Sequence, residues 1–124
     1  MNKEKILSMK PGTDLNIKVA EEILDHAVIN DEILGWMERP KKAEEGSIWA
    51  ELGHYSENLE YADLIVNLML EAGYPEAIHW EEFGGGQYSR AEAICKAALL
   101  AVMEKRRIKN ISNGILRQAL GEEE

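Results

Sequence analysis

Cysteine, proline, basic residues and long apolar runs are all scarce in this chain. A single cysteine, Cys95, excludes an internal disulfide and fits a reducing compartment. Lysine and arginine number 14 against 23 acidic residues in 124, a formal charge of −9. That balance disfavours a general nucleic-acid binder, whose affinity comes largely from neutralising phosphates with basic side chains. The longest uninterrupted apolar run, Ala97 to Met103, has seven residues, where a membrane helix needs roughly 20. The opening MNKEKILSMKPG is charged and has no apolar stretch of the signal-peptide kind. Together these absences predict a cytoplasmic protein with no membrane partner.

What is present suits one globular domain. The hydrophobic fraction of 45% is ordinary, and a chain of this length buries roughly two-thirds of its unfolded surface. Charge is unevenly placed. Residues 51–104 carry ten acidic and two basic groups, whereas residues 105–117 carry five basic groups and no acid. Nucleic acid is therefore an unlikely partner except near residues 105–117.

Local patterns predict a run of elements. A short helix ends at Pro11-Gly12, and Thr13 or Asp14 caps an amphipathic helix over Asp14–Ala27, with Val19, Ala20, Ile23 and Leu24 on one face. Val28–Leu34 reads equally as helix end or turn. Leu34–Met37 and Ser47–Leu52 are expected to pair as a hairpin around an Arg39–Gly46 loop. Ser56 is expected to cap a helix over Glu57–Ala72, which Gly73 closes in the left-handed conformation before Pro75. Its wide apolar coverage predicts burial on more than one face. Glu76–Phe83 alternates as a strand does, and Gly84-Gly85-Gly86 ends it. Ser89 to Glu92 has the form of a capping box, opening a helix from Arg90 to Arg107. Ser112 then starts a short helix to Leu120, before an acidic tail. The fold class expected is α+β: three main helices around a small, mostly antiparallel sheet. Residues 1–108 form the domain, and 109–124 the C-terminal short helix and acidic tail.

The segments MKPGTDLNIKVAEEIL, HYSENLEYADLIVNLMLEAGY and SRAEAICKAALLAVME resemble, in order and spacing, the phage ABA sandwich domain family of small phage and prophage proteins. The matching residues are Leu15, Val19, Ala20 and Glu21, then Tyr55, Ser56 and Ala62, then Ala93 to Leu99. The resemblance spans about residues 9–104 and leaves out the extension after Lys105. It implies a three-layer α/β/α sandwich-like arrangement and a viral or prophage origin, hence a host-cell cytoplasm. It transfers no catalytic residues.

Chemistry-bearing residues are few. His54 and His79, with Glu51, Glu81 and Glu82, are the best acid/base or metal candidates, yet neither histidine sits in a recognised spacing such as H-E-x-x-H. His26 stands alone on the first helix. These read as surface or structural histidines, and Cys95 as a small buried hydrophobe. The Gly84-Gly85-Gly86 loop leads into Ser89 and Arg90 at a helix start, with Trp80 and Tyr88 nearby. This segment is either an anion-binding or nucleotide-like ligand site or a flexible turn. The turn is favoured, because the glycine-loop phosphate motifs are missing and Ser89 and Glu92 already use donors there. Aromatic residues, among them Trp36, Trp49, Tyr55, Tyr61, Tyr74 and Phe83, suit a core or a subunit interface better than a ligand cleft. Lys105–Lys109 reads first as helix C-terminal capping.

No enzyme, metal or cofactor is expected. The function expected is a non-enzymatic phage or prophage accessory protein that binds a host or phage protein, or itself in a homo-oligomer. The alternative is a small-molecule binder that sequesters a nucleotide-like signal at Gly84–Ser89 in counter-defence.

Overall fold

A computed structural model describes residues 2–42, 48–74 and 87–119, with 109–119 described by their helical backbone. Among them are helices α1 (Lys3–Ser8), α2 (Thr13–Glu22), α3 (Leu59–Glu71) and α4 (Arg90–Ala119), and strands β1 (His26–Asp31), β2 (Gly35–Pro40) and β3 (Ala50–Glu51). The strands form one antiparallel sheet in the order β1-β2-β3. The fold is α+β, as the sequence pattern predicts. Helix α2 packs on β1, and α4 packs against α1, α2 and α3. The expected strand over Glu76–Phe83 lies outside the described residues.

Helix α4 is the centre of the core. Its residues Ala91, Ile94, Cys95, Ala98, Leu99 and Val102 are buried with Leu15, Val19 and Ala20 of α2 and Ala62, Ile65 and Met69 of α3. Small side chains all round the helix let its neighbours approach from several sides. The buried set includes Lys96, which is 1% exposed. Its ammonium donates to Glu92 Oε2 at 2.7 Å and to the Leu7 carbonyl at 3.0 Å. It also lies 4.1 Å from the centre of the Tyr88 ring. These contacts satisfy a charge that burial would otherwise make costly, and they fasten α1 to α4.

Several local expectations are corrected. The first long helix stops at Glu22 rather than Ala27, and His26–Asp31 is strand β1. Asp25, in the left-handed conformation at φ 57°, turns the chain, and the β-branched Val28 and Ile29 then take a sheet. Neither Thr13 nor Asp14 caps that helix: Gly12 is the N-cap residue. Asn58, not Ser56, caps α3, accepting from the Glu60 N–H at 2.9 Å. Only the Ala62, Ile65 and Met69 stripe of α3 is fully buried, while Leu64, Leu68 and Leu70 are exposed, so its apolar width does not mean burial on several faces. The short helix expected from Ser112 is a continuation of α4. Asn110, Ser112, Asn113 and Gly114 each lower helix propensity, but no proline interrupts the hydrogen-bond ladder.

Other expectations hold. The β2–β3 pairing is the expected hairpin, although β2 runs on through Arg39 and Pro40, which the sequence pattern assigns to the loop, and β3 is only two residues long. Gly73 has φ +84°, with Tyr74 N–H on the Met69 carbonyl and Gly73 N–H on that of Leu70, a Schellman close.

Lys96→Met should cost about 3–5 kcal/mol in urea unfolding, because it strands a buried carboxylate. The double variant Lys96→Met/Glu92→Gln should recover at least half of that loss, which a double-mutant comparison measures.

Candidate functional site

Two polar hubs hold the 52–58 segment, and between them they create a cleft. The first is Glu38 on β2, only 4% exposed. Its carboxylate accepts from the Gly53 N–H at 2.7 Å and from the Tyr55 hydroxyl at 2.8 Å, and it lies 2.6 Å from His26 Nδ1. His26 is therefore not isolated: it starts β1 and is bound across the sheet to its partner strand. Gly53 is required here, since a Cβ would come within 2.5 Å of the Tyr55 ring that Glu38 holds in place.

The second hub joins Ser56 to Asn16 of α2. The Ser56 hydroxyl accepts from the Gly12 N–H at 2.9 Å and donates to Asn16 Oδ1 at 2.7 Å, and the Ser56 N–H reaches the same oxygen at 2.8 Å. Asn16 Nδ2 donates in turn to Glu57 Oε1 at 3.0 Å. Ser56 thus serves the start of α2 rather than the start of α3.

With Gly53, Tyr55 and Ser56 drawn inward, His54 points outward. It lines a cleft of about 380 Å³ with Thr13, Asn16, Leu34, Trp36, Glu51 and Glu57. His54 Nε2 is 3.5 Å from Glu51 Oε1, and Nδ1 is 3.8 Å from Glu57 Oε1. The Tyr61 ring meets the imidazole edge-on at 5.9 Å. These groups are solvated, so their mutual attraction is small and they remain available to a ligand. On the other wall, the Leu52 N–H donates to the Trp36 carbonyl at 3.0 Å and holds the strand beside the loop. The β1–β2 turn is shaped by Asp31 Oδ1, which accepts from the Leu34 and Ile33 N–H groups. Those two bonds, Leu34 first, lower the Asp31 carboxyl from its ordinary range. Gly35, at φ +82°, completes the reversal. The turn leaves Ile33 90% and Leu34 69% exposed, with Trp36 39% exposed beside them.

The structure brings together His54 and Glu51, two of the candidates singled out in the sequence without a recognised spacing, and adds Glu57 and Trp36, which sequence reasoning did not connect. His79, Glu81, Glu82, Trp80, Gly84, Gly85 and Gly86 lie outside the described residues. Of the expected ligand segment, Tyr88, Ser89 and Arg90 are described. The Tyr88 ring faces Lys96, and Ser89 Oγ accepts from the Glu92 N–H at 3.2 Å. Glu92 gives its carboxylate to Lys96, so the structure records the serine half of the expected capping box. The described basic residues after the core are engaged within the chain: Lys105 over Tyr74, Arg106 with Glu22, and Arg107 with Glu104.

Among the described residues, no three His, Cys, Asp or Glu side chains converge as a metal centre requires. The polar side chains lining the cleft are Thr13, Asn16, Glu51, His54 and Glu57. Cys95 is fully buried, and desolvation, followed by the nearby Glu92 charge, pushes its thiol up to about 12. No helix among the described residues is long and apolar enough to cross a membrane. A scan against protein-family models, a search of curated proteins and a search of solved structures each return no match.

Burial, then the Glu38 hydrogen bond and charge, also raise the Tyr55 phenol well above its ordinary value. Both groups therefore hold their proton more tightly in the folded chain. Their contribution is complete below the unfolded values of 9.0 for the thiol and 10.0 for the phenol, and it is lost as pH rises through and beyond them. Urea unfolding should show stability falling between pH 8 and pH 10.5. Cys95→Ala should remove on the order of 1–2 kcal/mol of that fall, because the unfolded thiol ionises first.

Proposed function

We propose that this protein is a small, non-catalytic binding protein that engages another protein through the cleft and turn beside His54. The observation that supports this is the exposure of Ile33, Leu34 and Trp36 together on a turn whose backbone is held by Asp31 and Gly35. Apolar side chains clustered on a rigid support suit an interface, where aromatic residues supply much of the binding energy.

The resemblance to the phage ABA sandwich domain makes this binding protein an accessory factor of a phage or prophage, working in the host cytoplasm. The partner is then a host or phage protein, or a second copy of the chain. Phosphate-rich ligands are disfavoured by the acidic residues around the cleft, and Lys105, Arg106 and Arg107 are already engaged within the chain.

Size-exclusion chromatography with light scattering, run beside pull-down from host lysate, tests this reading with a Leu34→Ser/Trp36→Ser variant. The wild type is expected to self-associate or retain a protein that the variant loses, while both unfold within about 1 kcal/mol of each other, as exposed positions allow. A monomeric wild type that retains nothing, together with a thermal shift of several degrees on adding nucleotides, would favour the small-molecule alternative.

A further inference from the structure

We propose that the cleft accepts a lysine or arginine side chain of the partner, flanked in the partner by apolar residues; this rests on the protein-binding reading above. Trp36 stands on one side of the cleft, and Glu51 and Glu57 line the same cleft with His54. No lysine or arginine is among the lining residues, so the two carboxylates share the cleft with a single basic side chain, the imidazole of His54. Glu57 Oε1 accepts from the neutral Asn16 amide at 3.0 Å and lies 3.8 Å from His54 Nδ1. A cation there gains the face of an indole together with carboxylate partners, two contacts that reinforce one another as water is excluded.

The wider surroundings point the same way. The turn from Asp31 to Trp36 carries Asp31 and Glu32 and no basic residue. Residues 51–104 hold two basic residues against ten acidic ones, and one of those two, Lys96, is buried and paired. The nearest strand cation, Arg39, lies 4.4 Å over the Trp49 ring and is absent from the cleft lining. An anionic partner segment would be repelled from this face, and a neutral apolar one would desolvate two carboxylates that have one imidazole between them. The exposed Ile33 and Leu34 supply the apolar margin for the residues on either side of the inserted cation. Guanidinium suits the site particularly well, because it stacks on an aromatic plane while pairing with carboxylate at its edge. At about 380 Å³ the cleft is large enough for one long side chain and its neighbours.

Selection of a random dodecapeptide library on the immobilised full chain tests this, followed by fluorescence anisotropy with the enriched peptides. Enrichment should favour peptides with one or more lysines or arginines beside leucine, isoleucine or aromatic residues. Trp36→Ala and Glu51→Gln/Glu57→Gln should each weaken their binding by about tenfold or more. Asp63→Asn/Glu71→Gln, which removes the same charge from α3, should change it by less than about twofold. Equal losses in the cleft and α3 charge variants would overturn the proposal by showing attraction to the net charge alone. Enriched peptides that lack basic residues yet depend on Trp36 would overturn the cation while sparing the binding cleft. Peptides indifferent to Trp36 and to both glutamates would overturn both.

Discussion

The Glu38 carboxylate is the contact on which the arrangement of the cleft depends. It is buried in the middle strand and gathers His26 from β1 with Gly53 and Tyr55 from the segment after β3. A carboxylate in that position would be costly alone, and its partners offset the cost with charge-assisted hydrogen bonds. Those bonds draw Gly53 and Tyr55 inward, and the Ser56–Asn16 hub does the same one residue later. Between Gly53 and Tyr55, the backbone leaves His54 facing solvent. The recognition surface is therefore a consequence of an internal polar network, built on a loop that would otherwise be free to move.

Much of the fold was legible because its signals are local. The α3 stripe, the Gly73 close and the small-residue core helix each follow from spacing within a few residues. The antiparallel β2–β3 hairpin was also visible, since short apolar pieces flank a charged loop. Strand β1 was not, because Val19 to Ala27 continues a helical spacing past the point where Asp25 turns the chain. A left-handed aspartate leaves no periodic signal. The extension of α4 was hidden for the opposite reason: weak helix formers and a serine resembled a boundary that the backbone does not observe.

The cleft was only half legible. His54 and Glu51 are close in sequence, and their proximity was readable. Trp36 and Asn16 reach the same place from other elements, which no local pattern encodes. Glu38 and Lys96 show why polar hubs escape sequence reading. Each is a charged residue where the pattern allows an exposed one, and each takes a partner remote in sequence, His26 for Glu38 and the Leu7 carbonyl for Lys96. A hint did exist for Glu38: a glycine two residues before a tyrosine, on a segment that must cross a strand edge.

Amide hydrogen exchange at Gly53 tests most directly whether Glu38 holds the cleft loop. If it does, the Gly53 amide exchanges in the wild type about as slowly as core amides of α4, and in Glu38→Gln it exchanges at least about tenfold faster while the α4 amides stay protected. A Gly53 amide that exchanges freely in the wild type, or one unchanged by Glu38→Gln, would contradict the role given to this carboxylate.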